Sequence, residues 1–214
     1  MTSTDKDRAL SRGDIGALTG FCISGFVIAA YITVFSIIRI IELAGGVNVP
    51  VLVEFAGDRE PVDLPLSTGG SIPVGLDSAT ITAPQLPATA AVPGILGQVA
   101  QIITIVVVIG CLILLARSIV RGRIFSRGHT ALVATAGITG LVGFSVVRFF
   151  DNMLANATVA AVTDNAVDNA VITVEPFTFI LAAFVIALIA TVFAIGDRLQ
   201  RHNAALENDT KGLV

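Results

Sequence analysis

Apolar positions in this chain gather into long unbroken runs. The first covers 15–43, and its centre, FCISGFVIAAYITVFSII, carries no charge. At about 1.5 Å rise per residue, it crosses a hydrocarbon layer of about 30 Å with length to spare. Runs of similar character cover 95–116, 131–147 and 176–196. Together they predict four membrane-spanning helices.

The segment after the first run has a different period. In VNVPVLVEF, Val47, Val49, Val51, Val53 and Phe55 fall on one face, the alternation of a half-buried strand. GDRE reads as a turn. PVDLPL and the SATIT stretch around Ile81 read as further short strands, separated by STGGS and by Pro73 and Pro84. Such an insert is too small to be stable alone, so it is expected to rest on the helix ends or on a partner. The predicted fold is a membrane all-α four-helix bundle with a small β-rich extracytoplasmic cap between the first and second spans. Its expected order is a tail (1–14), span one (15–44), cap (45–94), span two (95–116), a basic loop (117–130), span three (131–151), a second outer loop (152–174), span four (175–197) and a tail (198–214).

Composition agrees with lipid as the solvent. Hydrophobic residues make up 54% and charged residues 14%, and the mean hydropathy is +0.87. Soluble domains carry about 25% charged residues. The net charge of −3, with no basic stripe, argues against nucleic acid as a partner. Cys22 and Cys111 both lie inside apolar runs and read as packing residues. The mixed-charge N-terminus and the length of the first run point to an uncleaved signal anchor.

The placement of basic residues sets the orientation. Lys6, Arg8 and Arg12 precede span one; Arg117, Arg121, Arg123 and Arg127 lie between spans two and three; Arg198, Arg201 and Lys211 follow span four. The predicted cap has only Arg59, and 152–174 has no Lys or Arg. Both termini and the middle loop are therefore expected in the cytoplasm. The middle cluster is the positive-inside determinant and would also meet anionic lipid headgroups.

Small residues mark expected helix contacts. Gly16 and Gly20 recur with Ser24 and Gly25 in span one, and Gly137, Gly140 and Gly143 form a ridge in span three. Asp14 is placed to cap span one, Ser126 to cap span three, and Gly45–Gly46 to end span one.

Two Arg-x-x-acid pairs, Arg39 with Glu42 and Arg148 with Asp151, are predicted at the outer ends of outward-running helices. One reading is a salt-bridge set locking spans one and three to the cap. The sharper one is an anion or ligand site beneath it. Gln98 and Gln101, one turn apart, could line a polar crevice there or turn to water. No HExxH, phosphate-cradling glycine loop, GxSxG or metal-spaced His/Cys set occurs, so no catalytic residue, cofactor or metal is expected. His129 and His202 are isolated and read as solvated. Asn156-Ala157-Thr158 is a glycosylation pattern common by chance.

The segment RGRIFSRGHTALVATAGITGLVG, with Gly122, Phe125 and Ser126 as Gly-x-x-Phe-Ser before the third span, resembles the DUF2975 family of bacterial four-span membrane proteins. The outer segment between spans one and two and the ending DTKGLV also fit. The resemblance implies a bacterial inner-membrane protein of a family with no assigned function or catalytic residues, its genes often near a small helix-turn-helix regulator. The layout is also similar to claudin-like proteins, but without their Trp and outer cysteine pair the likeness is one of architecture. The expected role is non-enzymatic, acting through lipid, a membrane-protein partner or a second copy, as an accessory, sensing or envelope-stress component. The alternative is a small transporter or channel subunit with a crevice formed by Gln98, Gln101, Arg39 and Arg148. An intramembrane enzyme ranks third.

Overall fold

The structure is a computed structural model and describes residues 12–55, 60–65, 70–120, 127–165, 180, 182–192 and 195–196. Its elements in chain order are α1 (Arg12–Gly45), β1 (Val47–Glu54), β2 (Glu60–Pro65), β3 (Ser71–Leu76), β4 (Ser78–Gln85), α2 (Ala88–Val120) and α3 (Arg127–Val162). A shorter apolar helix, α4, covers Ala182–Val192. Among the described residues three helices are long and apolar enough to cross a membrane: Ile15–Gly45, Ala88–Ser118 and Gly128–Val162. Large apolar side chains stand exposed along them, among them Phe26, Tyr31, Ile41, Ile103 and Ile138.

The chain divides into two compact units. The one formed by Val34–Ile102 and Phe144–Val174 holds the strands and the main buried core. In β1 the burial alternates as the sequence pattern predicts, with Val49, Val51 and Val53 buried and Leu52 exposed between them. β4 pairs antiparallel with β1, placing Ala83 opposite Val49 and Ile81 opposite Val51. This face is covered by helix ends: Leu43 of α1, Ala90 and Ala91 of α2, and Leu154, Ala155 and Val159 of α3.

The turn out of α1 aims β1 at that core. Gly46 has φ of +63° and donates its N–H to the Glu42 carbonyl at 3.1 Å, a left-handed helix cap. Its own carbonyl accepts from Leu86 N–H at 2.8 Å, closing the base of the ribbon. Beyond Glu54, β2 and β3 form a second antiparallel pair. Between the pairs Glu54↔Ser78 and Glu60↔Leu76, the first arm advances six positions and the second arm two.

The structure differs from the sequence expectation at several boundaries. SIPVGL is a strand, so Pro73 and Pro84 lie inside β3 and β4 rather than between strands. α2 begins at Ala88 with Pro93 inside it, not after Pro93, because Ala90 and Ala91 are drawn into the core. The N–H groups of Ala90 and Ala91 both reach the Pro87 carbonyl at 2.9 Å, starting the helix there. α3 does not stop at Asp151. MLANATVAAV is alanine-rich, and Leu154, Ala155, Thr158 and Val159 form a buried helical stripe, so 152–162 is helix where a loop was expected. Asn165, with φ of +59°, donates to the Ala160 carbonyl and closes this end. α1 begins at Arg12, two positions before the expected cap Asp14. The loop expected over 117–130 narrows, since α2 runs to Val120 and α3 starts at Arg127. Most of the GDRE turn, the Ser126 cap, 166–174 and the C-terminal tail lie outside the described residues.

The other unit draws on Met1–Thr33, Ile103–Gly143 and Glu175–Val214, and in its described part glycines bring helices together. A Cβ on Gly137 would overlap Cγ2 of Ile186 in α4, and one on Gly143 would overlap Oγ1 and Cγ2 of Thr104 in α2. A Cβ on Gly140 would stand an ordinary 3.8 Å from Val108 Cγ2, and one on Gly25 would stand 3.4 Å from Ile109 Cγ2. Among the described residues nothing comes within 4 Å of a Cβ on Gly16 or Gly20.

A paired substitution checks this ridge. Gly143→Ala should destabilise by about 1–3 kcal/mol, because Thr104 is branched at Cβ and cannot swing clear. Gly140→Ala should be neutral or stabilising by up to about 1 kcal/mol, since it adds helix propensity without a clash. Thermal unfolding of the two variants in detergent, followed by loss of the monodisperse peak, reads the difference.

Candidate functional site

The two arginines singled out in the sequence lie beside β1. Arg39 of α1 pairs through Nη1 with Glu42 Oε2 at 2.9 Å and donates from Nη2 to the Pro50 carbonyl of β1. Arg148 of α3 does not take Asp151 as its ion partner. Its Nη2 reaches Glu54 Oε1 of β1 at 2.7 Å, 94 positions away in sequence. An i+3 acid on the same helix is a natural local partner, but the ribbon brings the Glu54 carboxylate onto the α3 surface. Each guanidinium thus holds β1 to a helix. Exchanging Arg39 with Glu42 would not conserve this arrangement, because the bond to Pro50 would be lost.

Around these pairs lies a pocket of about 210 Å³. Arg39, Glu54, Arg148 and Asp151 supply its charged lining. Gln98 of α2 and Asn152 and Asn156 of α3 supply carboxamides, and Val51, Leu154 and Ala155 are among its apolar lining. Gln101 is not among its lining residues. The close approach of α2 and α3 at this level depends on glycine. A Cβ on Gly97 would stand 3.1 Å from Phe150 Cβ and 3.7 Å from Asp151 Oδ1, and one on Gly94 would be 3.1 Å from Leu154 Cδ2 of α3 and 3.0 Å from Leu43 Cδ1 of α1. The sequence reading missed Gly94, Gly97, Asn152 and Asn156. Pro93 masked Gly94 by resembling a helix start, Gly97 lay unremarked inside span two, and the last two fell in an expected loop.

The remaining candidates are spread out. Arg117 lies exposed near the end of α2 and Arg127 opens α3, while Arg121, Arg123 and the motif residues Gly122, Phe125 and Ser126 lie outside the described residues. His129 is not solvated as expected. It is buried, with Nε2 2.6 Å from Ser118 Oγ at the facing end of α2. Thr158 of the glycosylation pattern is buried in α3 and donates to the Leu154 carbonyl at 2.7 Å. Cys22 and Cys111 are free thiols. Among the described residues no group of three or more His, Cys, Asp or Glu could hold a metal ion.

Compared with models of known protein families, with curated proteins and with solved structures, the chain matches none.

The ion pairs make separable predictions. Glu54→Gln or Arg148→Gln should each cost about 1–3 kcal/mol, since each strands a half-buried charge. The double variant should cost less than the sum of the two. Glu42→Gln removes the partner at a site 49% exposed and should cost under about 1 kcal/mol. Denaturation midpoints of the set in one detergent measure all of these.

Proposed function

We propose that this chain is a non-enzymatic, four-span protein of the bacterial cytoplasmic membrane, with the β ribbon outside the cell. On this reading it acts through partners or lipid, in an accessory, sensing or envelope-stress role. The observation that carries the proposal is the seal between the valine face of β1 and the ends of α1, α2 and α3. Whatever meets the ribbon pulls on Glu54 and Pro50, and these are bonded to Arg148 of α3 and Arg39 of α1. A contact on the ribbon therefore loads two helices directly. Exposed apolar side chains on the strands, Leu52 and Ile72, supply contact surface.

Three helices of spanning length and the apolar α4 support the membrane assignment. Basic residues before α1, between α2 and α3 and after α4 support cytoplasmic termini. Membership of the DUF2975 family fits this layout and rests on the short motif from Gly122 to Ser126. The second reading, a transporter or channel subunit, draws on the polar pocket beside Gln98. It requires that polar lining to continue along α2, and Gln101, one turn further on, does not line the pocket.

Cysteine labelling tests the orientation. With Cys22 and Cys111 replaced by alanine, Asp77→Cys in the ribbon should react with an impermeant maleimide in intact cells. Asp209→Cys should react only after the cells are opened. The reverse pattern would overturn the assignment.

A further inference from the structure

We infer that the pocket between Arg39, Arg148 and Asp151 binds a small zwitterion, a molecule carrying one anionic group and one ammonium. The inference rests on the proposed function only in taking this end of the helices as the outward face.

The charges of the lining decide the ligand class. Arg39 and Arg148 contribute two positive charges, and Glu54 and Asp151 two negative, so the lining sums to zero. Each guanidinium already holds a carboxylate, Glu42 for Arg39 and Glu54 for Arg148. A bare anion would have to compete with those carboxylates and would also face Asp151. A bare cation would meet two guanidinium groups. A molecule with both charges can place its anionic end toward the N–H groups of the guanidinium forks, which have five donors each. Its ammonium can then face Asp151, whose Oδ1 is held over the glycine surface of α2 at Gly97.

The carboxamides of Gln98, Asn152 and Asn156 fit the same ligand, because each has a donor end and an acceptor end. Size narrows the class further. The pocket of about 210 Å³ lies below the range of about 300–1,000 Å³ typical of drug-sized ligands. At roughly 30 Å³ per water it holds about seven waters, room for an amino acid or the ethanolamine phosphate head of a lipid. These two sources share the recognition chemistry, an acid and an ammonium a few bonds apart.

The test uses the full chain purified in detergent and titrated calorimetrically with glycine, glycerophosphoethanolamine, inorganic phosphate and methylammonium. Saturable binding of a zwitterion, with phosphate and methylammonium silent at the same concentration, is the expected result. Response to glycerophosphoethanolamine alone identifies a headgroup site, and response to glycine identifies a free amino-acid site. Asp151→Asn should weaken zwitterion binding by about tenfold or more, through loss of a charge-assisted bond. Asn152→Leu should block the pocket, and the unliganded thermal midpoint of each variant shows that it is folded. Phosphate binding as tightly as the zwitterion, zwitterion binding unchanged in folded Asp151→Asn, or no binding by any probe at millimolar concentration would overturn the inference. Calorimetry in detergent is indifferent to membrane orientation, so its failure is distinguishable from failure of the labelling experiment.

Discussion

The structure of the strand-bearing unit depends on one constraint: the valine face of β1 has to be covered. An isolated two-stranded ribbon is at best marginally stable in water, and β4 alone offers Ala83 and Ile81 opposite Val49 and Val51. Cover comes from Leu43, Ala90, Ala91, Leu154 and Val159, drawn from three helices. Full burial of a valine is worth about 1.5–3 kcal/mol, so three of them are enough to shape the chain around them. α2 therefore begins at Ala88 rather than after Pro93, and α3 continues to Val162. The helices are longer than their apolar runs because their ends serve as the floor for a sheet.

Charge and packing then specify the same register. A slip of one residue in a strand turns every side chain to the other face. In β1 it would expose Val49, Val51 and Val53 and also carry Glu54 away from Arg148. The carbonyl of Pro50, which accepts from Arg39, would be displaced with it. Both guanidinium bonds thus penalise the misregistered states that burial penalises. An ion pair of this exposure adds modest stability. Its larger effect is agreement with the apolar pattern, which leaves one favoured pairing.

What could be read from sequence followed the range of the interactions. The alternation of Val49, Val51 and Val53 is a local signal, and so is the lipid-compatible length of the three long helices. The Gly46 turn was also visible, because only a left-handed residue ends a helix that sharply. The partner of Arg148 was not. Asp151 sits one turn away and satisfies every local rule, while Glu54 arrives through the fold of the intervening chain. The His129–Ser118 contact was hidden for the same reason, since it joins the end of α2 to the start of α3. The carboxamides of the pocket were obscured by composition. An Asn-rich stretch reads as loop until a buried stripe at Leu154, Ala155, Thr158 and Val159 makes it helix.

The prolines show how one residue type supports two opposite readings. In sequence, Pro73 and Pro84 look like strand breaks; in the structure both lie within strands. A ribbon of two strands has a free edge on each side, and proline can occupy a position whose nitrogen faces that edge rather than the partner. Pro61, Pro65 and Pro73 all pair at odd-numbered positions of β2 and β3 and so belong to one alternating set. In the other pair Pro50 stands opposite Thr82, and its carbonyl accepts from Arg39 of α1. A proline whose nitrogen faces the open edge removes an N–H that an incoming strand would need. Strand addition is the usual hazard of an open edge, and proline-rich strands are poor templates for it. Leu52 and Ile72 are among the apolar side chains the strands leave exposed. The guanidinium bonds at Pro50 and Glu54 then tie that proline-rich ribbon to α1 and α3, so its position is set by the helices and not by a further strand.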